Sequence, residues 1–180
     1  MKYTFQFQSG EKQVLETQSM ESGRHIVLKI LAYILYHERK PRIEIRVSSD
    51  KRDYKPDLVT FDEAGQISLW IDCGQIGLHK VEDLTKHLGD AEFVIIKPTV
   101  NEMAGYARQA ARKVPRHARV CYLSFNPDFV PALVKMLGHL NTVQWRCEGS
   151  DFYVTFNGTE FRTTLWKWDD ATASAVPVTF

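Results

Sequence analysis

Two aspartates occupy corresponding ends of two strand-like segments that a short turn separates. Asp57 lies near the start of the first segment, residues 56–62, and Asp72 lies near the end of the second, residues 67–74. Two such segments joined by a turn containing Ala64-Gly65 predict a β-hairpin. If the turn is symmetric, Asp57 lies opposite Asp72 on one face of the sheet, with Cβ atoms about 5 Å apart.

Like charges at that spacing repel each other, so something must compensate them. Two carboxylates can both remain ionised when they coordinate a hard divalent cation such as Mg²⁺ or Mn²⁺. Such an ion activates water and stabilises charge on a phosphoryl oxygen, which suits the cleavage of a phosphodiester. The alternative is that one or both acids are solvated at the end of the sheet or paired with Lys55 or Lys80.

Glu21 and His25 offer further polar groups at the start of the preceding helix. Because they are four residues apart, they share a helix face. Glu21 would supply another oxygen ligand to the cation, and His25 would orient it or contact a phosphate. The alternative for Glu21 is an acid that the helix dipole favours in the first turn.

A phosphoryl-transfer site also requires a cationic side chain that holds the substrate or stabilises developing charge. Lys80, at the start of the helix after the hairpin, is the first candidate. Lys55 is the second, because the symmetric hairpin places it opposite Gly74, two residues beyond Asp72. The alternative for each lysine is simple solvation.

The segments that would position these residues alternate between helix and strand. This alternation predicts an α/β architecture, and apolar residues on both faces of the hairpin predict a sheet covered on both sides. We expect one domain over residues 1–168 and a tail over residues 169–180 that frays. Predicted helices span 19–38, 78–88, 101–114 and 127–137, and predicted strands span 1–7, 43–47, 56–62, 67–74, 92–97, 118–125 and 142–147, followed by a C-terminal hairpin of 152–156 and 160–168.

The first of these helices carries apolar residues at helical spacing between Ile26 and Leu35, which predicts one buried face. Ser19 is the predicted N-cap, so Glu21 would lie in the first turn. Lys29 interrupts the apolar residues and is predicted to face water.

The composition indicates a globular protein with a sizeable core, since 44% of the 180 residues are hydrophobic. The longest apolar run is too short for a bilayer and the first residues lack the apolar centre of a secretory signal, so we expect a cytoplasmic protein without a membrane segment. A net charge of +1 argues against a dominant polyelectrolyte partner but allows a local basic patch. Cys73, Cys121 and Cys147 lie in apolar contexts and are predicted to be buried thiols.

The order of these elements resembles the core of the PD-(D/E)XK nuclease superfamily. That core has a helix with an early acid, a strand, a strand that opens with Pro-Asp, a strand that ends in an acid-X-residue motif, a helix and a strand. Within the superfamily, the chain resembles the YaeQ family over most of residues 3–168. The segments that carry the resemblance are Met20-Glu21-Ser22, Leu31-Ala32-Tyr33, Pro56-Asp57-Leu58, Glu63-Ala64-Gly65 and Trp70-Ile71-Asp72-Cys73-Gly74.

This resemblance implies a restriction-endonuclease-like core, in which helices flank a mixed sheet. It also implies a divalent-metal site built from Asp57 and Asp72, with Glu21 as a contributor. In active members of the superfamily the residue two positions after the second acid is normally lysine, whereas this chain has Gly74 there. The resemblance therefore implies a displaced lysine, for which Lys80 is the obvious replacement.

Nucleic acid, either DNA or RNA, is the expected partner of such a site, and it requires a cationic surface. Residues 103–127 contain no acid but carry several arginines, of which Arg108 and Arg112 share a helix face. These two are candidates for phosphate binding. The alternative is a basic, solvated helix whose charge is offset elsewhere.

Three functions remain open at this point. The first is a magnesium-dependent nuclease or phosphodiesterase that uses Asp57 and Asp72. The second is a catalytically degenerate relative that keeps the fold as a nucleic-acid-binding or regulatory module, as Gly74 permits. The third is a protein-interaction scaffold that uses the hairpin of residues 152–168.

Overall fold

The computed structural model describes residues 1–16, 21–49 and 52–180 of the chain. These residues form four α-helices, two mixed sheets and a short two-stranded ribbon, so the predicted α/β class is confirmed. None of the described helices is long and apolar enough to cross a membrane. The helices are α1 Gly23–Leu35, α2 Leu78–His87, α3 Val100–Lys113 and α4 Phe129–Met136; the strands are β1 Lys2–Phe7, β2 Lys12–Glu16, β3 Arg42–Ile43, β4 Val47–Ser49, β5 Arg52–Tyr54, β6 Leu58–Phe61, β7 Ile67–Cys73, β8 Glu92–Lys97, β9 Val120–Ser124, β10 Leu140–Glu148, β11 Asp151–Phe156, β12 Thr159–Thr164, β13 Trp166–Asp169 and β14 Ser174–Pro177.

The larger sheet has seven strands in the order β14-β13-β9-β8-β7-β6-β3. Its centre, β7-β8-β9, is parallel because α2 and α3 provide the crossover connections, and its other pairs are antiparallel. The smaller sheet has the order β12-β11-β10-β1-β2 and joins β1 to β10 in parallel. Both sheets are therefore mixed.

Two helices lie between the sheets, and two cover the far face of the larger sheet. One apolar core joins α1 and α4 to the inner faces of both sheets and includes Phe5, Ile71 and Phe156. A second core joins α2 and α3 to the opposite face of the larger sheet, around Trp70 and Phe93. The larger sheet is thus covered on both faces, as predicted.

The β6-β7 hairpin places the two aspartates at the same end. Leu58 pairs with Ile71 and Thr60 with Leu69, which is the register that the symmetric turn predicts. The N–H of Asp57 donates to the carbonyl of Ile71 at 3.1 Å, and the paired positions begin only at Leu58, so the direct opposition of Asp57 and Asp72 is not part of the ladder. The register also shifts after Thr60, at the turn end of the hairpin.

Helix α1 begins later than the sequence predicts. Its N-cap is Ser22, whose hydroxyl accepts a hydrogen bond from the N–H of His25 at 3.3 Å. Glu21 therefore precedes the helix instead of lying in its first turn. The predicted N-cap, Ser19, lies outside the described residues.

Helix α1 is also more deeply buried than one apolar face would allow. Residues 26–34 are all buried, because the helix contacts the larger sheet on one side and the smaller sheet on another. On the smaller-sheet side, the ring of Tyr33 stacks on Phe7 at a centroid distance of 5.0 Å. Lys29 is only 3% exposed, so the prediction that it faces water is wrong.

The strand predicted over residues 43–47 is interrupted. Strand β3 ends before Glu44, whose φ of 56° takes the chain out of the extended conformation. The N–H of Glu44 donates to the carbonyl of Asp57 at 2.9 Å, and its carboxylate pairs with Lys29. These tertiary contacts account for the bend, which the local alternation of residues does not reveal.

The C-terminal part of the chain crosses from one sheet to the other. The predicted strand over residues 160–168 is two strands, β12 in the smaller sheet and β13 in the larger one, which meet at the buried Leu165. Strand β14 then pairs with β13, and the ring of Phe180 packs on Phe152 at 6.0 Å. The prediction that residues 169–180 fray is therefore wrong.

The three cysteines differ in environment. Cys73 is buried in the core between α1 and the larger sheet, as predicted, and Cys121 is half-buried. Cys147 is exposed, because it lies on β10 near the rim of the smaller sheet. The prediction of a buried thiol is wrong for Cys147.

Hydrogen exchange tests the ordered C-terminus. The N–H of Val178 donates to Leu165 at 2.8 Å, and the N–H of Phe180 donates to Gly149 at 2.9 Å. We expect both amides to exchange at least roughly 100-fold more slowly than in an unstructured peptide, as an opening free energy of about 2.7 kcal/mol would give. Exchange of both at the unstructured rate would contradict the pairing.

Candidate functional site

The aspartates lie at the edge of the larger sheet where the parallel strands β7 and β8 both end. Helices α1 and α3 both begin at this edge, beside the ends of the strands. Between them is a pocket of about 400 Å³. It is lined by Glu21, Ser22, Arg24, His25, Leu28, Gly74, Gln75, Pro98 and Glu102.

Asp57 is bound by groups from α1 and β7. Its Oδ1 lies 3.0 Å from Nε2 of His25 and 3.8 Å from Nζ of Lys29. Its Oδ2 accepts a hydrogen bond of 2.6 Å from the N–H of Cys73. Burial acts to raise the pKa of Asp57, but His25, the Cys73 N–H and Lys29 outweigh it, so this pKa is lowered. The fold thus stabilises Asp57 as a carboxylate.

Asp72 has a different set of partners. Its Oδ1 accepts from Nζ of Lys80 at 2.9 Å, and its Oδ2 accepts from Nε1 of Trp70 at 3.1 Å. The residue is 4% exposed. Burial raises the pKa of Asp72; Lys80 opposes this rise, and the charge of Asp57 adds to it. The ionised form of Asp72 is therefore disfavoured by the fold.

The two carboxylates are compensated separately, although they lie at the same end of the hairpin. The partners of Asp57 belong to α1 and to the backbone of β7, whereas Asp72 lies on the Trp70 face, which α2 and α3 cover. The expected compensation is present, and it comes from several protein cations. The side chain of Asp57 turns to the N–H of Cys73 at the end of the hairpin, so the two acids have different partners.

Lys29 is a cation whose place at the site the sequence did not predict. Its ammonium group pairs with the carboxylates of both Glu21 and Glu44, in addition to its contact with Asp57. Burial acts to lower the pKa of Lys29, but the hydrogen bonds to Glu21 and Glu44 outweigh it and raise this pKa. The sequence carried a signal of this burial, since a helix that is apolar nearly all round is enclosed on all sides.

His25 lies between two acids, next to the turn that follows Asp72. Its Nε2 is 3.3 Å from Oε1 of Glu21, so the predicted proximity of these two residues is present. Gly74 has a φ of 72°, a conformation that strains any other L-residue. A Cβ added at Gly74 would lie 3.4 Å from Nδ1 of His25. Position 74 therefore suits glycine for backbone reasons.

The two candidate lysines take different places. Lys80 contacts Asp72, as one alternative from the sequence anticipated. Lys55 instead pairs with Glu44 at 3.0 Å and is not placed against either aspartate by any described contact. Lys80 is thus the one of the two that belongs to the aspartate pair.

The arginines of α3 do not line the pocket. The guanidinium of Arg108 lies 5.3 Å from the ring centroid of Trp168 on β13, and Arg112 is exposed further along the helix. The arginine that does line the pocket is Arg24, which pairs with Glu102 across it. The structure therefore separates the predicted basic face from the aspartate pair.

Lys97 is a second cation that the sequence analysis missed. It ends β8, is 5% exposed, and donates a hydrogen bond of 2.6 Å to the carbonyl of Gly74. Its Nζ lies 3.7 Å from the ring centroid of Tyr106. Burial lowers the pKa of Lys97 to about 8. A lysine directly after the apolar residues of a central strand was the available signal.

Two carboxylates, Asp57 and Asp72, are the candidate oxygen donors for a divalent cation. Within the described ranges, no three His, Cys, Asp or Glu side chains are grouped so that they could hold a metal ion. Magnesium is commonly held by one or two carboxylates together with water and substrate phosphates. Asp57 and Asp72 fit such a site by donor chemistry, whereas Glu21 is held by Lys29.

Removing the charge of each aspartate should have unequal effects on stability. At pH 7, Asp57→Asn should lower the free energy of unfolding by about 1–3 kcal/mol, because the fold stabilises that carboxylate. Asp72→Asn should leave it within about 1 kcal/mol or raise it, because burial disfavours that charge. Urea unfolding measures both; equal losses would contradict the two environments.

The lowered pKa of Asp57 also predicts how the free energy of unfolding changes at acidic pH. Its stabilising contribution is present above its ordinary pKa of 3.8 and is lost as the pH falls through the lowered folded value. The difference between wild type and Asp57→Asn should therefore shrink below pH 3.8. A difference that stays constant down to pH 2 would be the opposite result.

Lys29 and Lys55 provide a matched pair, since both bind Glu44. Lys29→Met should lower the free energy of unfolding by about 3–5 kcal/mol, because it removes a buried ammonium group that pairs with three half-buried carboxylates. Lys55→Met should cost less than about 1 kcal/mol, because that lysine is exposed. Similar losses for the two variants in urea unfolding would refute the central place of Lys29.

A model of the YaeQ protein family matches residues 16–165 of the chain. The fold is similar to the crystal structure of the YaeQ protein from Xanthomonas axonopodis pv. citri, with 16% identity and a TM-score of 0.70 over 91% of this chain and 94% of that one. It is also similar to that of the YaeQ protein from Pseudomonas syringae, with 14% identity and a TM-score of 0.68 over 91% and 92%. No curated protein matches the chain. Because the family model spans most of its length, the chain belongs to the YaeQ family.

Proposed function

We propose that this protein is a divalent-metal-dependent phosphodiesterase that cleaves nucleic acid, with Asp57 and Asp72 at its site. One observation carries the proposal: the two aspartates lie at the same end of the β6-β7 hairpin beside a pocket, at the edge where β7 and β8 end. Burial of one of them in a place where its charge is disfavoured costs stability. Functional sites are where proteins retain such groups.

We also infer that the surrounding elements correspond to a PD-(D/E)XK core. The support is their order: α1 with Glu21 before its N-cap, β6 preceded by Pro56-Asp57, β7 with Asp72 near its end, and α2 leading to β8. Strands β6 and β7 are antiparallel, and β7 and β8 are parallel. This order and the motif residues agree with the resemblance in the sequence.

The residues around the pair would have distinct tasks. A magnesium ion bound there would supply a Lewis acid and an activated water. Asp57 and Asp72 would hold it, and His25 would orient Asp57 through their contact. Lys80, which pairs with Asp72, is the cation that can turn to a phosphate oxygen of the substrate.

A second candidate function is nucleic-acid binding or regulation without cleavage. The observation that favours it is the saturation of the acids by protein cations, above all by Lys29, which takes the place that an external cation would have between Glu21, Glu44 and Asp57. A protein of this kind would bind phosphate groups through its cations and would not need a metal.

Cleavage assays separate the two functions. Purified protein is incubated with Mn²⁺ or Mg²⁺ and mixed single- and double-stranded DNA and RNA. We expect cleavage by the wild type and at least roughly 100-fold less by the double variant Asp57→Ala/Asp72→Ala, as the loss of transition-state stabilisation at one site would give. Glu63→Ala is the matched control, because it removes an exposed acid from the turn of the same hairpin.

Calorimetry with Mn²⁺ supplies the second readout. The wild type and Glu63→Ala should bind the ion, and the double variant should not. Salt-dependent binding of nucleic acid without cleavage or metal binding would favour the second function. If the double variant still cleaves nucleic acid, the activity comes from another site or from a contaminant, and the proposal is wrong.

A further inference from the structure

Lys97 stands directly beside the turn that follows Asp72. Asp72 pairs with Ile95 in the parallel register of β7 and β8, and Cys73 pairs with Ile96. One step further, Gly74 stands beside Lys97. Because side chains two residues apart on a strand share a face, Lys97 lies on the same face of the sheet as Asp72.

The burial of Lys97 is unusual because no carboxylate accompanies it. Among the Asp and Glu side chains that the structure describes, none lies within 4.0 Å of its Nζ. Its described hydrogen bond is to a neutral carbonyl, and the ring of Tyr106 covers it. The titratable groups that act on it are Asp72 and Cys73 of β7 and Glu102 of α3, from beyond contact distance. A buried ammonium in such surroundings destabilises the fold.

Lys97 lies immediately behind the wall of the pocket. Gly74, which accepts its hydrogen bond, and Pro98, which follows it, both line the pocket. The charged residues that line the pocket are already engaged. Glu21 is held by Lys29, His25 lies between Glu21 and Asp57, and Arg24 pairs with Glu102.

The simpler explanation is that Lys97 only holds the loop after Asp72 in place. The neighbouring Tyr106 shows what such a structural role requires. The hydroxyl of Tyr106 donates to the carbonyl of Ile76 at 3.0 Å and so holds the same loop without any charge. A neutral donor would therefore suffice to hold the loop. The charge of Lys97 needs a different reason, since well-packed apolar residues usually stabilise a core at least as well as buried charges.

We propose that Lys97 is a positioning residue of the candidate site: from behind the pocket wall, it holds the turn after Asp72 through the carbonyl of Gly74 and supplies positive charge to a phosphate-bearing ligand in the pocket. The inference rests on the proposed function insofar as both use this site. It concerns the binding of the ligand and requires no metal.

The test measures binding of fluorescein-labelled single-stranded DNA and RNA oligonucleotides by anisotropy, at low salt with EDTA. Lys97→Met should weaken binding at least about tenfold, while its melting temperature stays equal to that of the wild type or rises. Lys97→Arg, which keeps the charge, should bind within about threefold of the wild type. Tyr106→Phe removes the other hold on the loop and should also stay within about threefold.

The dependence on pH gives a readout that a structural anchor would not move. A lysine of lowered pKa loses its charge as the pH rises through about 8, so wild-type affinity should fall between pH 7 and pH 9. Lys97→Arg should not show this fall, because its guanidinium stays charged. If Lys97→Met does not fold, the pH dependence of the wild type compared with that of Lys97→Arg tests the inference by itself.

Several results would overturn the inference. They are a wild type that binds neither probe, Lys97→Met that binds like the wild type, and Tyr106→Phe that weakens binding as much as Lys97→Met does. Cleavage is scored separately with Mn²⁺. If binding depends on Lys97 and no cleavage occurs, the phosphodiesterase proposal is wrong and the role of Lys97 stands. If cleavage occurs and binding does not depend on Lys97, the phosphodiesterase proposal stands and the role of Lys97 is wrong.

Discussion

Carboxylates that lose contact with water require a cation, and one buried ammonium group pairs with three half-buried carboxylates. Lys29 joins Glu21, Glu44 and Asp57, which belong to three separate parts of the chain: the approach to α1, the bend after β3 and the start of the β6-β7 hairpin. Because α1 is enclosed between two sheets, the lysine cannot reach water instead. Asp57, one half of the candidate site, is held by this contact together with His25 and the N–H of Cys73.

The fold shifts the pKa of Asp72 in the opposite direction from the pKa of Asp57. Lys80 and Trp70 bind its carboxylate, yet burial still raises its pKa, while the pKa of Asp57 is lowered. Neighbouring acids whose pKa values shift in opposite directions are typical of sites that perform acid-base or electrostatic work. A ligand that binds here must compete with protein cations, so any metal or phosphate binding involves an exchange of ion pairs.

The sequence predicts the local features of this site well. The turn and the alternation of residues 56–74 predicted the hairpin and its register from Leu58–Ile71 to Thr60–Leu69, because register in a hairpin follows from its turn. Helices α2 and α3 and strands β8 and β9 lie within a few residues of their predicted ranges, since each has strong periodicity.

What the sequence did not predict depends on contacts between distant parts of the chain. Lys29 was assigned to solvent because it is the one charged residue among the apolar residues of α1, whereas two sheets cover this helix. The bend at Glu44 and the strand β14 arise from pairing with remote residues, which no local pattern contains. Lys97 was overlooked because its neighbour across the sheet, Gly74, is 23 residues away in the chain.

The central claim is that Asp57 and Asp72 together form a site for a divalent ion that displaces protein cations. The most direct measurement is the anomalous scattering of manganese in crystals soaked with Mn²⁺. We predict a manganese peak bonded to oxygens of both aspartates, with the ammonium of Lys80 withdrawn from Asp72. Crystals in saturating Mn²⁺ that show no such peak, and retain Lys80 on Asp72 and His25 on Asp57, would contradict the claim.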